Sequence, residues 1–370
     1  MPSGCAQLRF VTQARLSRIR GQNILFSGSQ HAIFSLNDTA AAIWRMLEEG
    51  KPADAVVRGI ACGAPDAGGQ VEAALKDWQR LGLIRPRISP LDIAARQHVT
   101  QTLSIAGRRI RILYPMAHAF PTVGVFRHLE VEQETTDVVF QWAEHDDRLH
   151  LFRNGDWLLA SASDEMATVL KGEVLNDVLG TSTYELALHV AALLKDERLV
   201  LLCGDPGAGK TTLTLALAHA GFGVASDDVT LLQGDGRCVG LPFAAAVKSG
   251  AWPLLAPYFP DLAEMPVFRR PDNRRVRYIA PKISPDLLSR QWPVGSVVML
   301  RRDRDSRLRL DEVGPVDALC GLLGGAFAPG GELGAIGFDA LARVVGSARA
   351  FRLTYSDLDG AVDLIRRSCR

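Results

Sequence analysis

Apolar positions change their spacing along the chain, and each change marks a new kind of element. Near the start, short apolar-rich runs over 23–27 and 31–36 flank a Gly28-Ser29-Gln30 turn, which predicts a hairpin. Helical spacing follows. Ala41, Ile43, Trp44 and Leu47 share one face of a stretch that Asn37 or Asp38 can cap. A second helix opens at Pro52 and runs through Ile60, and a third follows Gly69 with Val71, Leu75, Trp78 and Leu81 inward and Gly82 as its stop. A hairpin with three helices predicts a small winged-helix-like module, and Arg85-Pro86-Arg87-Ile88-Ser89-Pro90 reads as its exit linker.

From Gln101 to about Asp164 the period falls to two, with strands over 103–105 and 109–113 and turn signals at Gly107 and Asn154-Gly155, as in a mostly antiparallel sheet. Helical spacing returns over 165–179 and over 182–194, where Leu186, Val190 and Leu193 would face a sheet. The unbroken apolar run 199–203 reads as a buried parallel strand. Leu213, Leu215 and Leu217 lie on the helix after it, which Gly221 ends. Strands over 222–226, 241–247, 297–300 and 351–355 and helices over 316–323 and 358–367 complete an α/β pattern. The expected organisation is a winged-helix-like domain over 1–87, a β-rich part over 88–180 and an α/β core over 181–370.

Composition narrows the partners more than the fold. With 370 residues, 47% hydrophobic content and a formal net charge of +1, the chain has no overall attraction to nucleic acid or anionic membrane. Residues 1–87 carry eleven Lys and Arg against seven Asp and Glu, too mild an excess to require nucleic acid. The six cysteines lie far apart without a C-x-x-C pair, so reduced, mostly buried thiols are expected. No basic stretch with an apolar core opens the chain and no apolar run nears about 18 residues, so a cytoplasmic protein without a membrane partner is expected.

The chemistry is concentrated in Gly204, Asp205, Pro206, Gly207, Ala208, Gly209, Lys210 and Thr211, followed by Thr212. The pattern is G-x-x-x-x-G-K-[ST] between a strand and a helix: backbone N–H groups turn inward around phosphate oxygens, Lys210 reaches the terminal phosphates and the Thr211 hydroxyl holds magnesium. ATP and Mg2+ are the cofactors this predicts. Asp227 and Asp228 follow at the C-terminal end of the next strand, where open α/β sheets place their chemistry. One carboxylate can hold magnesium while the other accepts a hydroxyl proton, and two close carboxylates push one pKa up; the residues alone do not divide these roles. His189, on the predicted 182–194 helix, and the basic residues Lys248, Arg274, Arg275 and Arg277 are candidates to meet charge that develops on a transferring phosphoryl group.

The block from His189 through the loop to Asp227-Asp228 resembles the catalytic core of the HPr kinase/phosphorylase family. That resemblance implies a kinase core of the type shared with phosphoenolpyruvate carboxykinase, with His189 and Lys210 in the active site and Asp228 as the base. The E-[IV]-R-G-x-G segment of the bifunctional enzymes has no counterpart here, so HPr is not the expected substrate. The 241–248 stretch with Trp252, the basic segment before Tyr278 and the terminal Tyr355-Ser356-Asp357-Leu358 resemble the divergent HPr-kinase-like proteins of peptide-modification gene clusters. The N-terminal unit is similar to PqqD-like proteins at Phe34-Ser35-Leu36-Asn37, Ala42-Ile43-Trp44 and Leu81-Gly82-Leu83-Ile84.

Together these resemblances imply an ATP- and magnesium-dependent kinase for a Ser or Thr hydroxyl of a ribosomally synthesised precursor peptide. Its leader would add as a strand to a hairpin edge formed by the segments around Leu16 to Phe26, with a pocket beside the first or last helix. A homo-oligomer is compatible with this reading. Two alternatives stand: an ATP-hydrolysing switch whose winged module binds DNA or a protein, and a small-molecule kinase.

Overall fold

The computed structural model describes residues 8–10, 14–27, 32–60, 67–81, 83–86, 98–133, 135–145, 148–280, 290–303 and 305–369. Near the start lie β1 (Leu8–Phe10), β2 (Ala14–Ile19), β3 (Gln22–Ser27), β4 (Ala32–Leu36), α1 (Asp38–Glu48), α2 (Ala53–Ile60), α3 (Ala67–Arg80) and β5 (Ile84–Pro86). Asn37 caps α1, its side chain accepting from the Ala40 amide at 2.7 Å. Alternation along β3 sends Asn23, Leu25 and Ser27 inward, and Leu25 meets Ile43, Trp44, Val71 and Trp78 in one core. The third helix starts two residues before Gly69. The expected turn at 28–30, the Gly82 stop and residues 87–90 of the expected linker lie outside the described residues.

The three-stranded sheet has the order β2-β3-β4, with both pairings antiparallel. Of the expected 16–26 segment, β2 forms one edge of the sheet, whereas Phe26 lies on the central strand, whose hydrogen-bonding groups are taken by β2 on one side and β4 on the other.

Downstream come β6 (His98–Ile105), β7 (Arg108–Pro115), α4 (Ala119–Phe126), β8 (Val138–His145) and the antiparallel hairpin of β9 (Arg148–Arg153) and β10 (Asp156–Ser161). Asn154 and Gly155 turn that hairpin with φ of 50° and 86°, as their residue types allow. The chain divides into two compact units, one of residues 1–98 and 141–161, the other of residues 99–140 and 162–370.

The second unit continues with α5 (Met166–Thr181), β11 (Leu186–Leu188), β12 (Ala191–Lys195), β13 (Arg198–Cys203), α6 (Lys210–His219), β14 (Gly223–Ser226), β15 (Thr230–Leu232), β16 (Cys238–Gly240) and β17 (Ala245–Lys248). Then follow α7 (Trp252–Leu255), β18 (Phe268–Arg269), β19 (Arg275–Ile279), β20 (Val294–Arg302), β21 (Arg309–Glu312), α8 (Pro315–Leu323), α9 (Ala335–Ser347), β22 (Arg349–Tyr355) and α10 (Leu358–Ser368). Its main sheet has the order β14-β12-β13-β20-β22-β21. Both faces of β13 are buried: Leu199, Leu201 and Cys203 pack with Leu322 and Leu341, while Val200 and Leu202 pack with Leu213, Ala216 and Ile365. Helices on both faces explain why this strand reads as a continuous apolar run.

The helix expected over 182–194 is two strands. β11 pairs with β15, and β12 is inserted between β13 and β14, antiparallel to both. Leu186, Ala187, Leu188, Val190, Ala191, Ala192 and Leu193 are all buried, so alternation is erased and the remaining leucine spacing imitates a helix.

Candidate active site

Because β12 runs antiparallel to both β13 and β14, those two strands are parallel, and their C-terminal ends open on the same edge of the sheet. β13 leads into the 204–211 loop; β14 leads into Asp227 and Asp228. Sequence spacing thus becomes spatial convergence. The loop itself needs glycine: Gly204, Gly207 and Gly209 have φ of 152°, 95° and 95°. A Cβ on Gly204 would lie 3.0 Å from the Leu300 carbonyl oxygen, and one on Gly209 would strike the Tyr355 hydroxyl. That hydroxyl donates to the Ala208 carbonyl at 2.8 Å, tying the end of β22 to the loop.

Lys210 opens α6, is 8% exposed, and donates from Nζ to the Gly204 carbonyl at 2.6 Å. Burial pulls its pKa down and Lys248 adds to this, while Asp228, Cys203 and Asp227 oppose it. Asp205, Pro206 and Gly207 are exposed at the crown of the loop, and Thr212 is half-buried on the helix. The Thr211 hydroxyl donates to Asp227 Oδ2 at 3.1 Å.

The turn presenting the acids is organised by Ser226, whose hydroxyl donates to the Val229 carbonyl at 2.7 Å and accepts from the Asp228 and Val229 amides. Asp227 points inward and is buried. Burial, then the Asp228 charge, lifts its carboxyl to about 6, against the pull of Lys171, Thr211 and Lys210. Its Oδ1 is buried without a hydrogen-bond partner. Asp228 lies half-open. Burial acts to raise its carboxyl, but the His189 hydrogen bond and the charges of Lys171, His189 and Lys210 outweigh that and hold it near 2. The acid whose pKa rises is therefore Asp227, and not the residue expected as the base. The asymmetry follows from burial and from His189, whose Nδ1 lies 3.0 Å from Asp228 Oδ1. His189 leaves no helix; it sits between β11 and β12.

Lys248 ends β17, opposite Val276 of β19. Arg277 lies 4.0 Å over the Trp252 ring and donates to the Met265 and Ala263 carbonyls, so it supports the local fold. Arg274 faces Asp272 at 3.7 Å, and Arg275 lies 5.9 Å over Trp252. Neither basic residue is brought to the loop by these contacts.

Two participants were not legible in the sequence. Lys171 of α5 donates to the Ala244 carbonyl at 3.1 Å and its charge acts on both acids. It is a lone lysine on a helix 39 residues before Lys210, with no motif around it. Gly325, just after α8, packs against His189.

The Asp227 oxygen without a partner, beside the Thr211 hydroxyl, fits a hard cation that also binds phosphate oxygens and water. Among the described residues no group of three or more His, Cys, Asp or Glu could hold a metal alone, and no helix is long and apolar enough to cross a membrane. Cys203, Cys238 and Cys369 are buried free thiols and Cys320 is an exposed one; Cys5 and Cys62 lie outside the described residues.

Fold and site together define a mixed α/β protein with a strand–loop–helix turn and two acids on one sheet edge. Residues 22–84 match the family model described as coenzyme PQQ synthesis protein D (PqqD), so the N-terminal residues form a PqqD-like module. ABC transporter G family member 37 of Oryza sativa subsp. japonica is 32% identical over 189 residues, which is 49% of this chain and 12% of that protein. The chain thus spans 12% of the length of that curated relative. The Hpr(Ser) kinase/phosphatase from Coxiella burnetii is 15% identical, with 49% of this chain and 95% of that one covered at a TM-score of 0.23.

Proposed function

We propose that this chain is an ATP- and magnesium-dependent kinase that phosphorylates a Ser or Thr hydroxyl of a ribosomally synthesised precursor peptide, whose leader its own N-terminal domain, residues 1–87, binds. The observation that carries the phosphotransfer reading is the Thr211–Asp227 contact at 3.1 Å with the second Asp227 oxygen buried and unpartnered, set at the mouth of the 204–211 loop. A buried carboxylate oxygen without a donor is costly unless a ligand meets it.

In this reading the loop amides and Lys210 hold the phosphates, and Thr211 and Asp227 hold magnesium, which supplies charge neutralisation when bound. Asp228, ionised at neutral pH and oriented by His189, accepts the hydroxyl proton. A strong base is not required, because phosphoryl transfer through a loose transition state depends more on positioning than on proton abstraction. Lys248 adds positive charge near Lys210. Arg275, bound to Trp252, keeps a role only if substrate brings it inward.

For the leader, a groove of about 560 Å³ lies beside β4, lined by Phe34, Leu36, Thr39, Ile43, Ala73 and Trp78. A leader strand added to the outer edge of β4 would bond to its main chain and place alternate side chains in this groove. Tethering then raises the local concentration of the acceptor segment. Binding of ATP measured against magnesium concentration, with Lys210→Ala and Asp228→Asn, tests the site. Lys210→Ala should lose nucleotide; Asp228→Asn should bind it and fail to transfer. Full-rate transfer by Asp228→Asn would remove Asp228 as the base.

A further inference from the structure

We infer that Gly325 is a positioning residue for His189: its bare backbone is the surface that fixes the imidazole against Asp228. This rests on the proposed role of the His189–Asp228 pair. A Cβ built on Gly325 would lie 2.8 Å from His189 Cβ and 3.5 Å from Cγ and Cδ2. The nearest atom adjoins the backbone of residue 189, so a rotamer change does not relieve the overlap.

Both backbones are tethered close to the contact. On the histidine side, Leu188 and Val190 are buried, Leu188 pairs with Thr230, and the Thr230 hydroxyl donates to the Val190 carbonyl at 3.2 Å. On the glycine side, the Gly324 amide donates to the Cys320 carbonyl at 3.0 Å and the Ala326 amide to Leu323 at 3.1 Å. Ala187 and Phe327 then exchange two backbone hydrogen bonds of 2.8 Å, clamping the chain two residues from each member of the contact. Behind them α8 is held close to the sheet through Gly321, where a Cβ would lie 2.8 Å from Met299 Sδ. Gly325 has no positive φ to explain its residue type. Steric room beside His189 is what the position requires. With both chains tethered, an added methyl is expected to displace the imidazole and lengthen its 3.0 Å contact with Asp228.

The test is Gly325→Ala in the full chain, followed by the 15N signals of the His189 ring, assigned by their loss in His189→Gln, and by transfer kinetics. The ring signals should move toward those of Asp228→Asn. Turnover should fall on the order of tenfold to a hundredfold at unchanged nucleotide affinity, as a displaced group near the reacting atoms does. Wild-type ring signals and turnover in Gly325→Ala would overturn the inference. The ring signals decide it even if the wild-type protein transfers no phosphate, which separates its failure from that of the kinase reading. If Gly325→Ala does not fold, the double variant with His189→Gly should fold again, since the methyl then fills space the histidine vacated. Failure of both to fold would also overturn it.

Discussion

At Asp227, a carboxylate lies where a neutral group would be more stable. Burial and the neighbouring Asp228 charge lift its carboxyl to about 6, so at neutral pH the folded state holds an ionised group it would hold more easily neutral, and Asp227→Asn is expected to stabilise the ligand-free protein by ~1–3 kcal/mol. Denaturant melts without nucleotide measure this, and an Asn variant less stable than wild type would contradict it. Tyr355 is the converse case, a residue that supports the loop. Removing its bond to the Ala208 carbonyl in Tyr355→Phe should weaken nucleotide binding by about fivefold, equivalent to ~1 kcal/mol, in a binding isotherm. His128 makes a pH prediction. Burial lowers its pKa, the Pro242 carbonyl opposes this, and Lys171 adds to the lowering. Arg108, Glu130 and Asp137 line the same cavity of about 720 Å³. With the folded pKa below the unfolded one, this contribution is fully present above about pH 6.5 and is lost as pH falls through the folded value. His128→Gln should therefore flatten the stability profile between pH 7 and 5. At this scale the sequence revealed residue identity but not environment: the loop, both acids and His189 were legible, whereas the different surroundings of the two acids depend on the Ser226 turn and on a histidine brought from the β11–β12 connection.

Elements were legible where glycine and capping signals bounded the apolar pattern, and obscured where buried strands ran on without them. The β13–loop–α6 unit follows from its apolar run, its glycines and its capping signals. β11 and β12 do not, because their buried apolar positions follow one another with no turn signal between the two strands and leave a leucine spacing that imitates a helix. α9 is a second omission: its inward stripe is Gly337, Ala340, Leu341 and Val344, while Ile336 and Phe338 are exposed, so apolar contrast is low. Within the expected 16–26 segment, alternation identifies the strands but not which of them lies at an edge of the sheet. β4, an edge strand beside a groove, invites a specific test at element scale. Ala73→Trp, an exposed position on α3, should fill that groove and weaken leader binding at least about tenfold, as blocking an anchor pocket does. Turnover on a leaderless acceptor peptide should stay unchanged. An unaltered leader affinity would move the docking site elsewhere.

For the whole molecule, the claim is that a PqqD-like module and a phosphotransfer site share one chain because one delivers substrate to the other. The modest charge imbalance in residues 1–87 and the net charge of +1 leave peptide recognition, rather than nucleic-acid affinity, as the reading with a physical mechanism. The most direct measurement is the intact mass of a precursor peptide encoded beside this gene, incubated with the protein, ATP and magnesium, with Lys210→Ala as control. The account predicts a gain of about 80 daltons, one phosphoryl group on a Ser or Thr, absent with Lys210→Ala. ATP hydrolysis without any gain in peptide mass would contradict it.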